Sequence, residues 1–118
     1  MTKFFRGFYY AANGLRYTFR TQLNFRVQVF SALGVTGLSF YFGLDTNEWL
    51  WIALAITLVL TSEMANTAVE TLVDLASPEI NPKAGVIKDI FAGLVLISAI
   101  FALVVAMLIL LPKILYAP

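Results

Sequence analysis

Neither cysteine nor histidine occurs among the 118 residues of the chain. The first absence removes any disulfide framework and any thiolate nucleophile. The second removes Ser–His and Cys–His pairs, imidazole metal sites and the one side chain that titrates unaided near neutrality. Proton transfer, if the chain performs it, falls to a carboxylate, a lysine or a tyrosine. Charge is scarce as well. Only 13% of residues are charged and 60% are hydrophobic, whereas a soluble domain carries about 25% charge. The phosphate-binding patterns of soluble nucleotide enzymes, G-x-x-x-x-G-K-[ST] and G-x-G-x-x-G, are missing, as is a kinase catalytic loop. No internal repeat, low-complexity tract or linker divides the chain, so one domain over residues 1–118 is expected.

Long uncharged runs are what the chain does have. Val27 to Leu44 holds 18 residues without a charge, Trp49 to Ser62 holds 14, and Ile90 to Leu111 holds 22. About 20 apolar residues cross a bilayer as helix, so an all-α membrane protein with three transmembrane helices is expected, spanning about 25–44, 49–76 and 85–111. Gly43 closes the first span, and Pro78 and Pro82 break the chain between the second and third. Leu111-Pro112 is expected to end the last. Ala92, Ala99, Ala102 and Ala106 form a stripe of small residues along it, where another helix can approach closely.

The amino-terminal stretch is different in kind. Over about 3–21, Phe4, Phe5, Phe8, Ala12, Leu15 and Phe19 fall within about 100° of arc, opposite Lys3, Arg6, Arg16 and Arg20. This is an amphipathic surface helix on the bilayer, a membrane arrangement that points to no nucleic-acid partner. Gln22 would fall on its apolar face, so the helix ends near Thr21 or Gln22 looks into a protein pocket. Arg26 follows at the interface, where contact with lipid phosphate is the default. No signal peptide is expected, since the first apolar run starts late and lacks a small-residue cleavage pattern. Seven of the eight Lys/Arg residues collect on the side of the amino terminus and the 75–88 loop, with Lys113 alone opposite. The positive-inside rule makes that side cytoplasmic.

The chemistry concentrates in the second span. On a helix, Glu63, Asn66, Glu70 and Asp74 lie within about 80° of arc and rise about 16 Å along the axis. A charge at bilayer depth costs at least ~2.5 kcal/mol and marks a functional site by default. Lys88 and Asp89 open the third span at the same interface. Carboxylates with an amide are hard oxygen ligands suited to Mg²⁺, a lysine neutralises phosphate, and a carboxylate kept from water is a better base toward an alcohol. These are the parts of phosphoryl transfer. From the residues alone a second reading stands beside it: a non-enzymatic membrane protein, cation-conducting or an assembly subunit, whose polar line packs helices or passes ions.

The segment Glu63-Met64-Ala65-Asn66-Thr67-Ala68-Val69-Glu70-Thr71-Leu72-Val73-Asp74 resembles the pattern E-x-x-N-[ST]-A-[IV]-E-x-x-[VL]-D of the prokaryotic integral-membrane diacylglycerol kinase and undecaprenol kinase family. Lys88-Asp89, fourteen residues after Asp74, matches that family's Lys-Asp, and Gly14-Leu15-Arg16 and Asn24-Phe25-Arg26 look like family positions. The resemblance implies a homotrimer that moves the ATP γ-phosphate to a lipid alcohol, diacylglycerol or undecaprenol, at the bacterial plasma membrane. It makes Glu63 the general base and Glu70 a ligand of the Mg²⁺ that bridges the ATP phosphates. Lys88 would neutralise those phosphates, Asp89 and Asn66 would line the pocket, and Tyr10 would lie against the nucleotide. The family's metal-holding glutamate before span one is Gln22 here, which keeps an oxygen ligand and loses the charge.

Overall fold

The computed structural model describes residues 2–117 and is helical throughout, with four helices in chain order. They are α1 (Thr2–Thr21), α2 (Leu23–Phe42), α3 (Thr46–Ala76) and α4 (Pro82–Leu115). Two of these, α3 and α4, are long and apolar enough to cross a membrane by length and composition. α2 is not among them; Arg26, Gln28, Ser31, Thr36 and Ser39 interrupt its apolar run.

Each boundary has a local cause. Gln22 is the single non-helical residue between α1 and α2, extended at φ −114° and ψ 109°. α2 stops because Gly43 turns left-handed at φ 65°, where its N–H reaches back to Ser39 and Phe40 carbonyls. α3 opens with a capping box: the Asp45 carboxylate accepts from Glu48 N–H at 2.8 Å, and Glu48 accepts from Asp45 N–H at 3.2 Å. α4 begins at Pro82, a residue preorganised for a helix's first turn, after Asn81 caps it by accepting from Lys83 N–H at 2.9 Å. Pro112 does not end α4, contrary to expectation; the helix runs through it to Leu115. One missing N–H so near the carboxyl end loses little, and Tyr116 N–H still reaches the Pro112 carbonyl at 3.0 Å.

α3 and α4 pack along one another, α2 lies against α3, and α1 folds back over the α2–α3 end. A small apolar core of Leu44, Ile52, Ala55, Val105 and Leu110 binds the end of the bundle where α2 turns into α3. There Glu48 also pairs with Lys113 at 3.2 Å, tying the start of α3 to the end of α4. Apart from that core, Phe25 and Val73, many large hydrophobic side chains face outward: Leu103, Leu108 and Ile97 are each more than half exposed. The radius of gyration is 17.4 Å, against about 13.5 Å for a globular domain of this length. The bundle thus presents its oil to its surroundings, as a membrane protein does.

Arg26 does not project to lipid phosphate as expected. Its Nη1 donates to the carbonyls of Phe19 (2.7 Å) and Arg20 (2.9 Å), in the last turn of α1. Those oxygens have no partner within their own helix and sit at its negative end, so a guanidinium is the natural cap. Phe25, only 3% exposed, packs beneath the same elbow. Arg26→Ala should therefore loosen the last turn of α1, with amides of residues 16–21 exchanging hydrogen about tenfold faster, a loss of roughly one charged hydrogen bond. Unchanged protection there, measured by mass spectrometry in micelles, would show that the cap carries no weight.

Candidate active site on α3

α3 carries the acid line on one unbroken helix, and the four groups sit in graded surroundings. Glu63 is 2% exposed and is the largest fully buried side chain among the described residues. Asn66 and Glu70 are half-buried and Asp74 is exposed, so the line climbs out of the packing toward the end of the helix. Asn66 Nδ2 donates to Glu70 Oε1 at 3.4 Å, while Asn66 Oδ1 is buried with no partner among the described residues. Glu70 lies close enough to Glu63 for its charge to act there. Thr67 and Thr71, between these positions, turn their hydroxyls back to the backbone carbonyls of Glu63 and Thr67. They donate nothing to the acid side chains.

α4 contributes the cation. Lys88 Nζ donates to Asp74 Oδ1 at 2.7 Å, across the break at Ser77–Asn81, and this pair closes the outer end of the line. Asp89 is exposed beside it and enters no ion pair among the described residues. Two other expected residues lie apart. Gln22 sits at the α1–α2 elbow, its amide donating to Thr21 Oγ1 at 3.4 Å. Tyr10 is 64% exposed on α1, stacked edge-on against Tyr9. Neither hydrogen-bonds to the acid line. Tyr17, two turns further along α1, is the tyrosine that lines the crevice between α1 and α3, with Thr18 on its side and Met64 and Thr67 opposite.

One residue of the site escaped the reading of the sequence. Gln28, in the second turn of α2, reaches the Glu63 carboxylate from the facing helix. Its uncharged type gave no signal, and only the elbow at Gln22 decides which way it points.

Comparison with known proteins follows the same residues. The sequence profile of prokaryotic diacylglycerol kinases matches residues 9–110, a stretch that includes the whole acid line and Lys88-Asp89. The chain belongs to the prokaryotic diacylglycerol kinase family. Among its relatives, the undecaprenol kinase of Bacillus subtilis is 35% identical over 113 residues, covering 96% of this chain and 92% of that protein. The diacylglycerol kinase of Synechocystis is 38% identical over 109 residues, covering 92% of this chain and 62% of its own length. That of Helicobacter pylori is 30% identical over 99 residues, covering 84% and 77%. Membership decides between the two readings the acid line allows, for the diacylglycerol kinase family is a family of lipid-phosphorylating enzymes and not of ion conduits.

For this diacylglycerol kinase family member the burial of Glu63 sets a stability test. A buried acid kept only for packing would sit in an ion pair, and its loss would destabilise. One kept for chemistry is held against stability, so an apolar replacement of similar size is neutral or stabilising. Glu63→Met should leave unfolding in micelles unchanged or harder by up to about 2 kcal/mol, read as the midpoint of a denaturing-detergent titration. A fall of that size would return Glu63 to a structural role.

Proposed function

We propose that the chain transfers the γ-phosphate of ATP to the free hydroxyl of a membrane lipid, diacylglycerol or undecaprenol. The observation that carries this reading is Glu63, buried at the inner end of a line of oxygen ligands whose outer end holds a lysine. Glu63 takes the hydroxyl proton, the lipid oxygen attacks the γ-phosphorus, and the bond from that phosphorus to the β–γ bridging oxygen breaks, releasing ADP. Lys88 neutralises the phosphates, and Asp74, 2.7 Å away, holds its ammonium ready at the mouth of the line. Asp89 lines the same entrance; Tyr10 is assigned to the nucleotide and Gln22 to the metal by family resemblance alone.

The donor set suits magnesium. Glu70 and the buried, unpartnered Asn66 Oδ1 are two hard oxygens on adjacent turns of α3. An ion that arrives with ATP needs only one or two protein carboxylates, because phosphates and waters complete its octahedron. When bound, Mg²⁺ would offset charge on the triphosphate; Glu70, with Asn66, would hold it.

The membrane setting extends the same reading. α2, at 20 residues, is about 30 Å long and is proposed as the third span beside α3 and α4. α1 lies at the surface with Phe4, Phe5 and Phe8 exposed toward lipid, and the basic side is cytoplasmic, so ATP reaches Lys88 from the cytosol. A homotrimer is proposed from the family resemblance and from the partial exposure of Asn66 and Glu70, which a single subunit does not cover.

The purified protein, given radiolabelled ATP with diacylglycerol and undecaprenol in parallel, should label at least one. Glu70→Gln should lower turnover at least a hundredfold with the oligomer intact, and full turnover in that variant would remove it from the metal site. Glu63→Gln should lose 10²–10⁴ in rate, the usual worth of a general base, while ATP still binds. Loss of nucleotide binding would instead place Glu63 among the ATP ligands.

A further inference from the structure

A cleft of about 360 Å³ lies between α2, α3 and α4, with Val35, Ile56, Leu60, Ala99 and Ala102 among its walls. That size falls within the range of small-ligand sites. Gln28 is the one amide on its lining, and Leu60, also on it, precedes Glu63 by a single helical turn. The cleft thus runs up to the buried end of the acid line. Gln28 reaches the Glu63 carboxylate, and only its amide nitrogen can donate there. Its other polar atom, Oε1, is buried with no partner among the described residues. An oxygen in that condition is costly to keep unless something donates to it.

In a bilayer every lipid offers apolar chains, so apolar walls alone cannot choose among them. Selection has to come from hydrogen bonding, and a free hydroxyl differs from an esterified one by having a hydrogen to give. We propose that Gln28 is the residue that positions the substrate hydroxyl: its nitrogen steadies Glu63, and its Oε1 accepts from the O–H of a lipid alcohol whose hydrocarbon occupies the cleft. The proposal deepens the lipid-kinase reading and rests on it. A hydroxyl shared between Gln28 Oε1 and a Glu63 oxygen is held in a three-centre bond with its own oxygen turned toward the phosphate. The proton passes to Glu63, since an amide does not take one at neutral pH. Gln28 also acts as a filter. A site built to pair a hydroxyl rejects the analogue that lacks it far more strongly than an apolar pocket rejects a change of shape.

The test compares photoactivatable dioctanoylglycerol and farnesol, each against its own methyl ether, for crosslinking to the intact protein in micelles. The alcohol should label at about tenfold lower concentration than the ether, the worth of one hydrogen bond to a buried acceptor. Gln28→Met, which keeps the length and removes both polar atoms, should abolish that preference. In turnover it should raise KM for the lipid roughly tenfold and leave KM for ATP unchanged, with Gln28→Asn recovering part of the loss. Should Gln28→Met fail to assemble, Gln28→Leu carries the same comparison. Equal labelling by alcohol and ether in the unaltered protein overturns the proposal, as does a preference that survives removal of the amide or a KM for ATP that moves with that for the lipid. A preference for one of the two alcohols only upholds it and names the lipid class. Absence of phosphate transfer to any lipid, with the alcohol preference intact, would overturn the kinase reading and leave Gln28 as an alcohol-binding residue.

Discussion

Hiding a carboxylate while exposing leucine is the inversion on which this molecule depends. Glu63 is 2% exposed and Leu108 is 74% exposed. In water that distribution would be ruinous on both counts; in a bilayer each half of it is required. Lipid solvates the outward leucines at no cost, and the same lipid would charge heavily for an acid, so the acid must be wrapped by helices. The wrapping is built from what can tolerate a carboxylate. α2 brings an amide, α3 brings Asn66 one turn on, and neighbouring threonines spend their hydroxyls on their own backbone. None of these is a cation that would pair with Glu63.

The two ends of the bundle are constructed on different principles. Where α2 turns into α3, a capping box, the Glu48–Lys113 pair and the apolar core act together, and Glu48 serves two of the three at once. At the other end the ties are polar and open to solvent. Lys88 and Asp74 face each other across a proline-bracketed break in which Ile80 is wholly exposed. An ion pair near water can exchange partners at little cost. Firmness at one end therefore leaves the end with the Lys88–Asp74 pair freer to rearrange.

Much of this was legible from the residues because helices have one strong periodicity. The acid line followed from the spacing of Glu63, Asn66, Glu70 and Asp74, and the observed α3 keeps them on a single helix. Gly43 and Pro82 are local punctuation and act where they stand. Arg26, Gln28 and Pro112 were harder, each for a physical reason. Arg26 serves a carbonyl seven residues behind it, a contact that exists only once the chain bends at Gln22. Gln28 meets Glu63 across two helices, and neutral amides carry no charge pattern to betray them. Pro112 stands so close to a helix end that the rule against interior proline loses its force. The Asp45–Glu48 box, by contrast, is written plainly in the sequence as D-x-x-E.

With one extended residue between α1 and α2, and Arg26 clasping the carbonyls of α1, the surface helix and the helix below it form a bell crank. A shift of α1 would thereby be passed to α2, the helix that carries Gln28. Membranes differ in thickness by a few ångströms and helices answer by leaning. Through this hinge a helix that leans would move Gln28 relative to the buried Glu63.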